Sequence, residues 1–251
     1  MEENVKVVVL AAGKGTRLQT EGSELPKVMR NANGKPLLWY VLDAVSFIDK
    51  RDTILVVGYM KDAVLGYFND YPFVEQIVQS GTGHAVMEAK AELSGFDGAV
   101  LVCCGDMPAI KTETYRDLVN SHFLDGNDCT ILTGESSVQL SYGRIIRDQN
   151  NRFLRIVEDK DCTDEQRLIT ELNSGVYVFD CKMLLESLDS LGNNNAQKEY
   201  YLTDVPEIMR DKGAKVGLCK RELGDEIVGV NTIEQLWQVE EIIKKRESDR
   251  G

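Results

Sequence analysis

Three short apolar runs constrain the fold of this chain more than any other feature. Residues 5–10 (VKVVVL), 53–57 (TILVV) and 99–104 (AVLVCC) are β-branched and nearly continuous in hydrophobicity, without the alternation of a half-solvated strand. Runs of this kind suit strands buried on both faces, as in a parallel sheet. Stretches with helical spacing lie between them. Residues 35–48 carry Leu37, Leu38, Val41, Leu42 and Val45, with Pro36 suited to a first helical turn. Further helices are predicted over 62–68, 81–93 and 111–122. The second half changes character. Strand-like runs at 129–135, 143–148, 153–158 and 172–179 follow one another with short connections, which suggests antiparallel additions to the sheet. Helices at 182–191 and 204–212, a strand at 215–220 and an amphipathic helix over 232–245 complete the pattern. The expected class is α/β, a Rossmann-like mixed and mainly parallel sheet. The expected organisation is one domain over 1–251, with a first half to about 125, an elaboration over about 126–231, and a C-terminal helix.

Composition excludes several classes. The net charge of −12 argues against nucleic acid as the main partner, which usually demands a basic excess. It leaves room for a local positive pocket that holds a small phosphorylated ligand. No apolar run approaches the ~18 residues of a membrane span. The acidic N-terminus lacks the basic start of a signal peptide, so a cytoplasmic location is expected. The six cysteines form no C-x-x-C pair, and His84 and His122 stand far from any ligand spacing. A zinc site is not expected, and the cysteines read as reduced core residues. His84, on an apolar helix face, reads as structural.

Three segments carry chemistry. LAAGKGTRL (10–18) follows the first strand directly. Its glycines permit close backbone approach to a phosphate, and Lys14 and Arg17 supply charge; a plain strand-to-helix turn is the alternative. It is neither of two named phosphate loops. The G-x-x-x-x-G-K-[ST] pattern is absent, and Leu18 stands where the dinucleotide fingerprint needs its third glycine. Leu25-Pro26-Lys27 sets a lysine after a proline turn, fit for a polyphosphate or for plain solvent. Cys103-Cys104-Gly105-Asp106 ends a buried strand, where α/β sheets bind ligands. Asp106 there is either a Mg²⁺ ligand or a turn cap.

Together these segments resemble the sugar-1-phosphate nucleotidyltransferases. Later motifs narrow the likeness to uridyltransferases acting on N-acetylglucosamine 1-phosphate: GTGHA (81–85), YGRI (142–145), IVEDKDCTDEQR (156–167), LNSGVY (172–177), NNNAQKEYYLTD (193–204) and VGVN (228–231). The resemblance spans about residues 5–243. It implies that Leu10, Ala11, Ala12 and Gly13 lie against uracil and ribose, with Gln76 reading the base edge beside Gly81 and Thr82. Arg17 and Lys27 would hold the triphosphate, and Asp106 and Asn231 would bind Mg²⁺. Gly143, Glu158 and Asn173 would contact the sugar, with Glu199, Tyr201 and Thr203 lining its pocket. The implied substrates are UTP and N-acetylglucosamine 1-phosphate, giving UDP-N-acetylglucosamine and pyrophosphate. Another hexose 1-phosphate, dTTP, or a catalytically silent nucleotide-sugar sensor are the alternatives.

The chain departs from that pattern in places. Residues 18–25 form a longer loop than the family usually carries. Cys104 stands where the family generally has Tyr, and Leu140-Ser141 replaces Thr-Gly before YGRI. The 251 residues include no hexapeptide repeat of a left-handed β-helix, so acetyl transfer is not expected of them.

Overall fold

The computed structural model describes residues 4–15, 18, 25–136 and 140–249. In chain order its strands are β1 (Val5–Ala11), β2 (Asn31–Ala32), β3 (Lys35–Pro36), β4 (Thr53–Val57), β5 (Phe73–Glu75), β6 (Ala99–Cys104), β7 (Cys129–Glu135), β8 (Arg144–Arg147), β9 (Phe153–Val157), β10 (Glu171–Asp180) and β11 (Val216–Arg221). Its α-helices are α1 (Leu37–Ala44), α2 (Lys61–Tyr67), α3 (Thr82–Glu88), α4 (Lys90–Leu93), α5 (Thr112–Asp125), α6 (Asp164–Arg167), α7 (Cys181–Leu188), α8 (Val205–Asp211) and α9 (Ile233–Ser248).

Nine of the strands join in one sheet. Its main path runs β11-β7-β10-β6-β1-β4-β5, and β8 pairs with β10 and carries β9. The three apolar runs lie side by side and parallel, with β1 between β4 and β6. The sheet is mixed because β10 runs antiparallel to both β6 and β7. β11 then returns parallel to β7.

The pleat explains why these runs are continuously apolar. Val7, Val9 and Ala11 of β1 pack on one face, against α1 and α5 through Leu38, Val41, Leu118 and Val119. Val8, between them, packs on the opposite face with Val86 of α3, Leu184 of α7 and Met209 of α8. Both faces are covered, so the strand is apolar from Val7 onward; Lys6, at its start, reaches out to the Glu92 carbonyl. Truncating one such side chain, Leu101→Ala, would cost about 2–5 kcal/mol. A smaller cluster of Ala32, Leu37, Val230, Val239 and Ile243 docks α9 beside the β2–β3 hairpin.

Several boundaries differ from the sequence reading, each for a local reason. The helix expected over 35–48 begins at Leu37, because Lys35 and Pro36 pair with Ala32 and Asn31. Asn33 and Gly34 turn that hairpin with φ of 49° and 83°, the left-handed pair that a two-residue turn needs. The segment 81–93 is two helices that meet at Ala89. β5 was not foreseen; it is three residues at the sheet edge. The helix over 232–245 extends to Ser248 and starts with a capping box between Thr232 and Gln235. All six cysteines are free, and Cys104 alone among them is not fully buried.

Candidate active site

The parallel strands β1, β4, β5 and β6 end on one side of the sheet, and their following loops form one wall of a cleft. Such crevices beyond the carboxyl ends of strands are where open α/β sheets bind ligands. The cleft has two compartments, of about 250 and 190 Å3, which share Leu10, Thr82, Cys104 and Asp106.

The first compartment is lined by Leu10, Ala12, Gly13, Lys27, Gln76, Gln79, Gly81 and Glu199, among others. Ala11 does not line it. The pleat sends Ala11 to the opposite sheet face, into the core, between Leu10 and Ala12. Gly81 has φ of 107°, and a Cβ there would collide with the Tyr200 carbonyl. The segment 80–83 is thereby zipped to residues 199–202: Tyr200 N–H donates to the Ser80 carbonyl at 2.8 Å, and Gly83 N–H to the Tyr200 carbonyl at 2.8 Å. The Thr82 hydroxyl accepts from Leu202 N–H at 3.1 Å. These bonds carry Glu199 into the first compartment, beside Gln76, rather than beside Glu158. Gln76 is almost wholly buried, and its amide nitrogen lies 3.0 Å from the Gly81 carbonyl and 3.1 Å from His84 Nδ1. His84, structural on its sequence pattern, has its ring turned by the helix onto the side chain of Gln76, with Glu88 one turn further on.

The second compartment is lined by Met107, Ser141, Tyr142, Gly143, Glu158, Asn173, Gly175, Tyr177, Thr203 and Asn231, together with the shared residues. It is opened by an irregularity in β10 between Asn173 and Tyr177. Gly175 there has φ of 79°, which favours glycine. The Asn173 amide donates to the Tyr177 hydroxyl at 2.7 Å and accepts from Gly175 N–H at 3.2 Å, leaving one N–H and one lone pair for a ligand. Burial pushes the Glu158 carboxyl above its usual range, and the neighbouring acids Asp204, Asp161 and Asp159 push it further. The Thr203 hydroxyl opposes that shift, although it is buried without a well-formed hydrogen bond. Tyr201 lines neither compartment: it is buried, and its hydroxyl bonds Asp161 at 3.3 Å.

The two compartments meet at Lys27, Asp106 and Asn231. Lys27 opens a short 3-10 turn after Pro26. Its ammonium bonds the Asn231 side-chain oxygen at 2.7 Å and forms an ion pair with the Asp106 carboxylate. Gly15 has φ of 62°, and a Cβ on it would overlap the Lys27 stem, so the glycine loop and the lysine close on each other. Asn231 reaches Asp106 from 125 positions later because Val230 N–H donates to the Asp106 carbonyl at 2.9 Å. Tyr142 holds this loop: its hydroxyl accepts from Gly229 N–H at 2.8 Å and donates to the Ile227 carbonyl at 2.7 Å. Burial pushes the Tyr142 hydroxyl up to about 12, so it stays a neutral latch. Sequence reading missed Tyr142, Gln79 and Tyr177. The tyrosine inside YGRI was the one available signal, since its motif was recognised without a role for the ring. Arg17 lies outside the described residues, as does most of the long loop over 18–25.

The donor set at the junction suits a hard metal ion. The Asp106 carboxylate and the Asn231 amide oxygen, both hard donors, converge on a single ammonium, so the position already accommodates a cation. Among the described residues no cluster of three or more His, Cys, Asp or Glu could hold a metal ion. Two protein oxygens suit Mg²⁺, which keeps waters and takes its other ligands from substrate phosphates. Cys104 sits between the compartments with its sulfur 3.9 Å from the Gly175 carbonyl. Burial and Asp106 hold its thiol far above the usual range, so it is a packing group and not a nucleophile.

Comparison with known proteins agrees with this architecture. Residues 7–198 match the MobA-like NTP transferase domain. The bifunctional protein GlmU of Clostridioides difficile (strain 630) is 42% identical over 244 residues, 97% of this chain and 52% of that protein. GlmU of Clostridium novyi (strain NT) is 45% identical over 247 residues, 97% of this chain and 53% of that protein. The chain thus spans about half the length of the curated relatives it matches. A crystal structure of UDP-glucose pyrophosphorylase complexed with UDP-glucose superposes with a TM-score of 0.76 at 18% identity, covering 98% of this chain and 100% of that one, and so shares the fold. Among the described residues no helix is long and apolar enough to cross a membrane. With the family profile covering most of the chain and the sheet that carries its loops in place, the chain belongs to the MobA-like NTP transferase domain family.

Proposed function

We propose that this protein transfers uridylyl groups from UTP to N-acetylglucosamine 1-phosphate, releasing UDP-N-acetylglucosamine and pyrophosphate. The observation that carries the proposal is the meeting of Lys27, Asp106 and Asn231 at the junction of the two compartments. A nucleotide on one side and a sugar phosphate on the other would bring their phosphates together at that point. The likeness to GlmU along nearly the whole chain supports the same pair of substrates.

The first compartment takes the nucleotide. Gln76 spends its amide N–H groups on neighbours and turns its oxygen to the cleft, so it can accept from the N3–H of uracil. Lys27 holds the triphosphate as a compact cation, and Arg17 is proposed to join it. The second compartment takes the sugar. Glu158 accepts from sugar hydroxyls, strongest in its ionised form, and Asn173 and the Gly143 backbone complete the contacts. A phosphate oxygen of the sugar phosphate attacks the α-phosphorus of UTP. A new P–O bond forms as the bond to the bridging oxygen breaks, and pyrophosphate leaves with the electron pair. The attacking oxygen is already anionic, so no general base is needed. The residues hold the partners in line and offset the negative charge on the leaving group. Mg²⁺, held by Asp106 and Asn231, would add further charge neutralisation on the phosphates when bound.

Pyrophosphate release tests the proposal, with UTP, CTP and dTTP crossed against N-acetylglucosamine 1-phosphate, glucose 1-phosphate and galactosamine 1-phosphate. UTP with N-acetylglucosamine 1-phosphate should be the best pair. A different best sugar would replace the acceptor while leaving the reaction class. No release with any pair would replace catalysis by nucleotide-sugar sensing.

A further inference from the structure

The group that sets the polarity of Gln76 stands outside the cleft. The Gly81 carbonyl can only accept, so the atom of Gln76 that faces it at 3.0 Å is the amide nitrogen. The same nitrogen lies 3.1 Å from His84 Nδ1. One N–H points to each, which requires Nδ1 to be unprotonated and places the ring proton on Nε2. Nε2 in turn faces the Glu88 carboxylate at 3.4 Å, one helical turn along α3. The Tyr200 ring lies 6.2 Å from the imidazole, tilted at 33° to it. Every link agrees on one direction: Glu88 fixes the tautomer of His84, and His84 fixes the amide of Gln76. The amide then has no donor left, and only its oxygen is free for the first compartment.

We propose that His84, backed by Glu88, is a positioning residue that locks Gln76 as a hydrogen-bond acceptor and so sets the choice of uracil over cytosine. This rests on the nucleotide reading above. Uracil presents N3–H, a donor that matches the Gln76 oxygen. Cytosine presents a lone pair at N3, which the same oxygen repels. If the amide were free to rotate, its NH2 could meet the cytosine lone pair, and the discrimination would shrink. His84 thus acts on base choice through another side chain, without touching the nucleotide.

The test compares UTP with CTP, in equilibrium binding by calorimetry and in kcat/KM with N-acetylglucosamine 1-phosphate. His84→Leu should lower the UTP-to-CTP preference about tenfold, the size of one well-made hydrogen bond with its geometric effect. The change should fall in the KM for the nucleotide, with the KM for the sugar phosphate unchanged. His84→Asn, whose amide oxygen can stand near the Nδ1 position, should recover most of the preference; a packing role alone would favour Leu. Glu88→Leu leaves the ring in place but frees its tautomer, and should lower the preference about threefold. If wild type prefers UTP and both leucine variants keep that preference, the role of His84 is overturned while the nucleotide reading stands. If wild type does not prefer UTP over CTP, the nucleotide reading falls and this role with it.

Discussion

The two compartments of the cleft are built by different means. The first rests on loops that leave the ends of parallel strands, with side chains held by short local bonds such as Gln76 to Gly81. The second is assembled from antiparallel strands, an irregularity in β10, and segments as distant as Tyr142 and Gly229. Their charges differ too. A lysine dominates the junction on the first side, while on the second Asp204, Asp161 and Asp159 crowd Glu158 and add to the burial that raises its affinity for protons. On the proposed reading, the nucleotide is held by a rigid strand-end frame, whereas the choice of sugar is left to a wall that several remote segments must close.

The predictions test that division, beginning with the junction where the compartments join. Asp106→Asn should reduce kcat by about a thousandfold at saturating substrates, with the melting temperature little changed, because it removes the carboxylate that meets Lys27 at the junction. Near-normal turnover at millimolar Mg²⁺ would move the metal elsewhere. Lys27→Ala should lower kcat/KM for UTP roughly a hundredfold, since one charged contact to a phosphate in the transition state is lost.

Effects on the sugar side should be smaller. Cys104→Tyr puts a large ring between the compartments, opposite Gly175. It should raise the preference for N-acetylglucosamine 1-phosphate over glucose 1-phosphate by about threefold to tenfold, as expected of a change in pocket size. An unchanged ratio of kcat/KM values would mean that residue 104 does not meet the sugar. The smallest effect concerns stability. Burial, then Glu207 and Asp161, raise the Asp204 carboxyl from its ordinary 3.8 to about 6. The folded state therefore binds this proton more tightly than the unfolded one. Ionised Asp204 costs stability above about pH 6, and the cost fades as pH falls through 6 to below 3.8. Asp204→Asn should raise the melting temperature by about 2–4 °C at pH 7.5, and that gain should vanish near pH 4. An equal gain at both pH values would assign the effect to packing rather than charge.

Legibility in the sequence followed the same division. β1, β4 and β6 were readable because continuous apolar runs need two covered faces, and their boundaries fall within a residue of expectation. β5 was hidden because its three residues, Phe73–Glu75, sit half-exposed at an edge and bury too little to show a pattern. The residues that meet in the cleft came mainly from a family resemblance, since nothing local to Asn231 announces Asp106. The pleat could have corrected one detail: Leu10 and Ala12 share a face, so Ala11 cannot join them. Tyr201 shares its motif with Thr203, and resemblance puts both at the sugar pocket, but the Tyr201 hydroxyl is bound to Asp161 and the wall there is made by Leu202 and Thr203. His84 escaped because an apolar helix face hides a ring nitrogen aimed at Gln76, eight positions earlier and just past the end of β5.

The division of labour itself is tested most directly by measuring KM for UTP and for N-acetylglucosamine 1-phosphate separately in Lys27→Ala and Glu158→Gln. Lys27→Ala should weaken the handling of UTP while KM for the sugar phosphate stays within about twofold, and Glu158→Gln should raise KM for the sugar phosphate about tenfold while KM for UTP stays within about twofold. Both variants changing both constants in the same proportion would contradict the account, because the cleft would then be one undivided site.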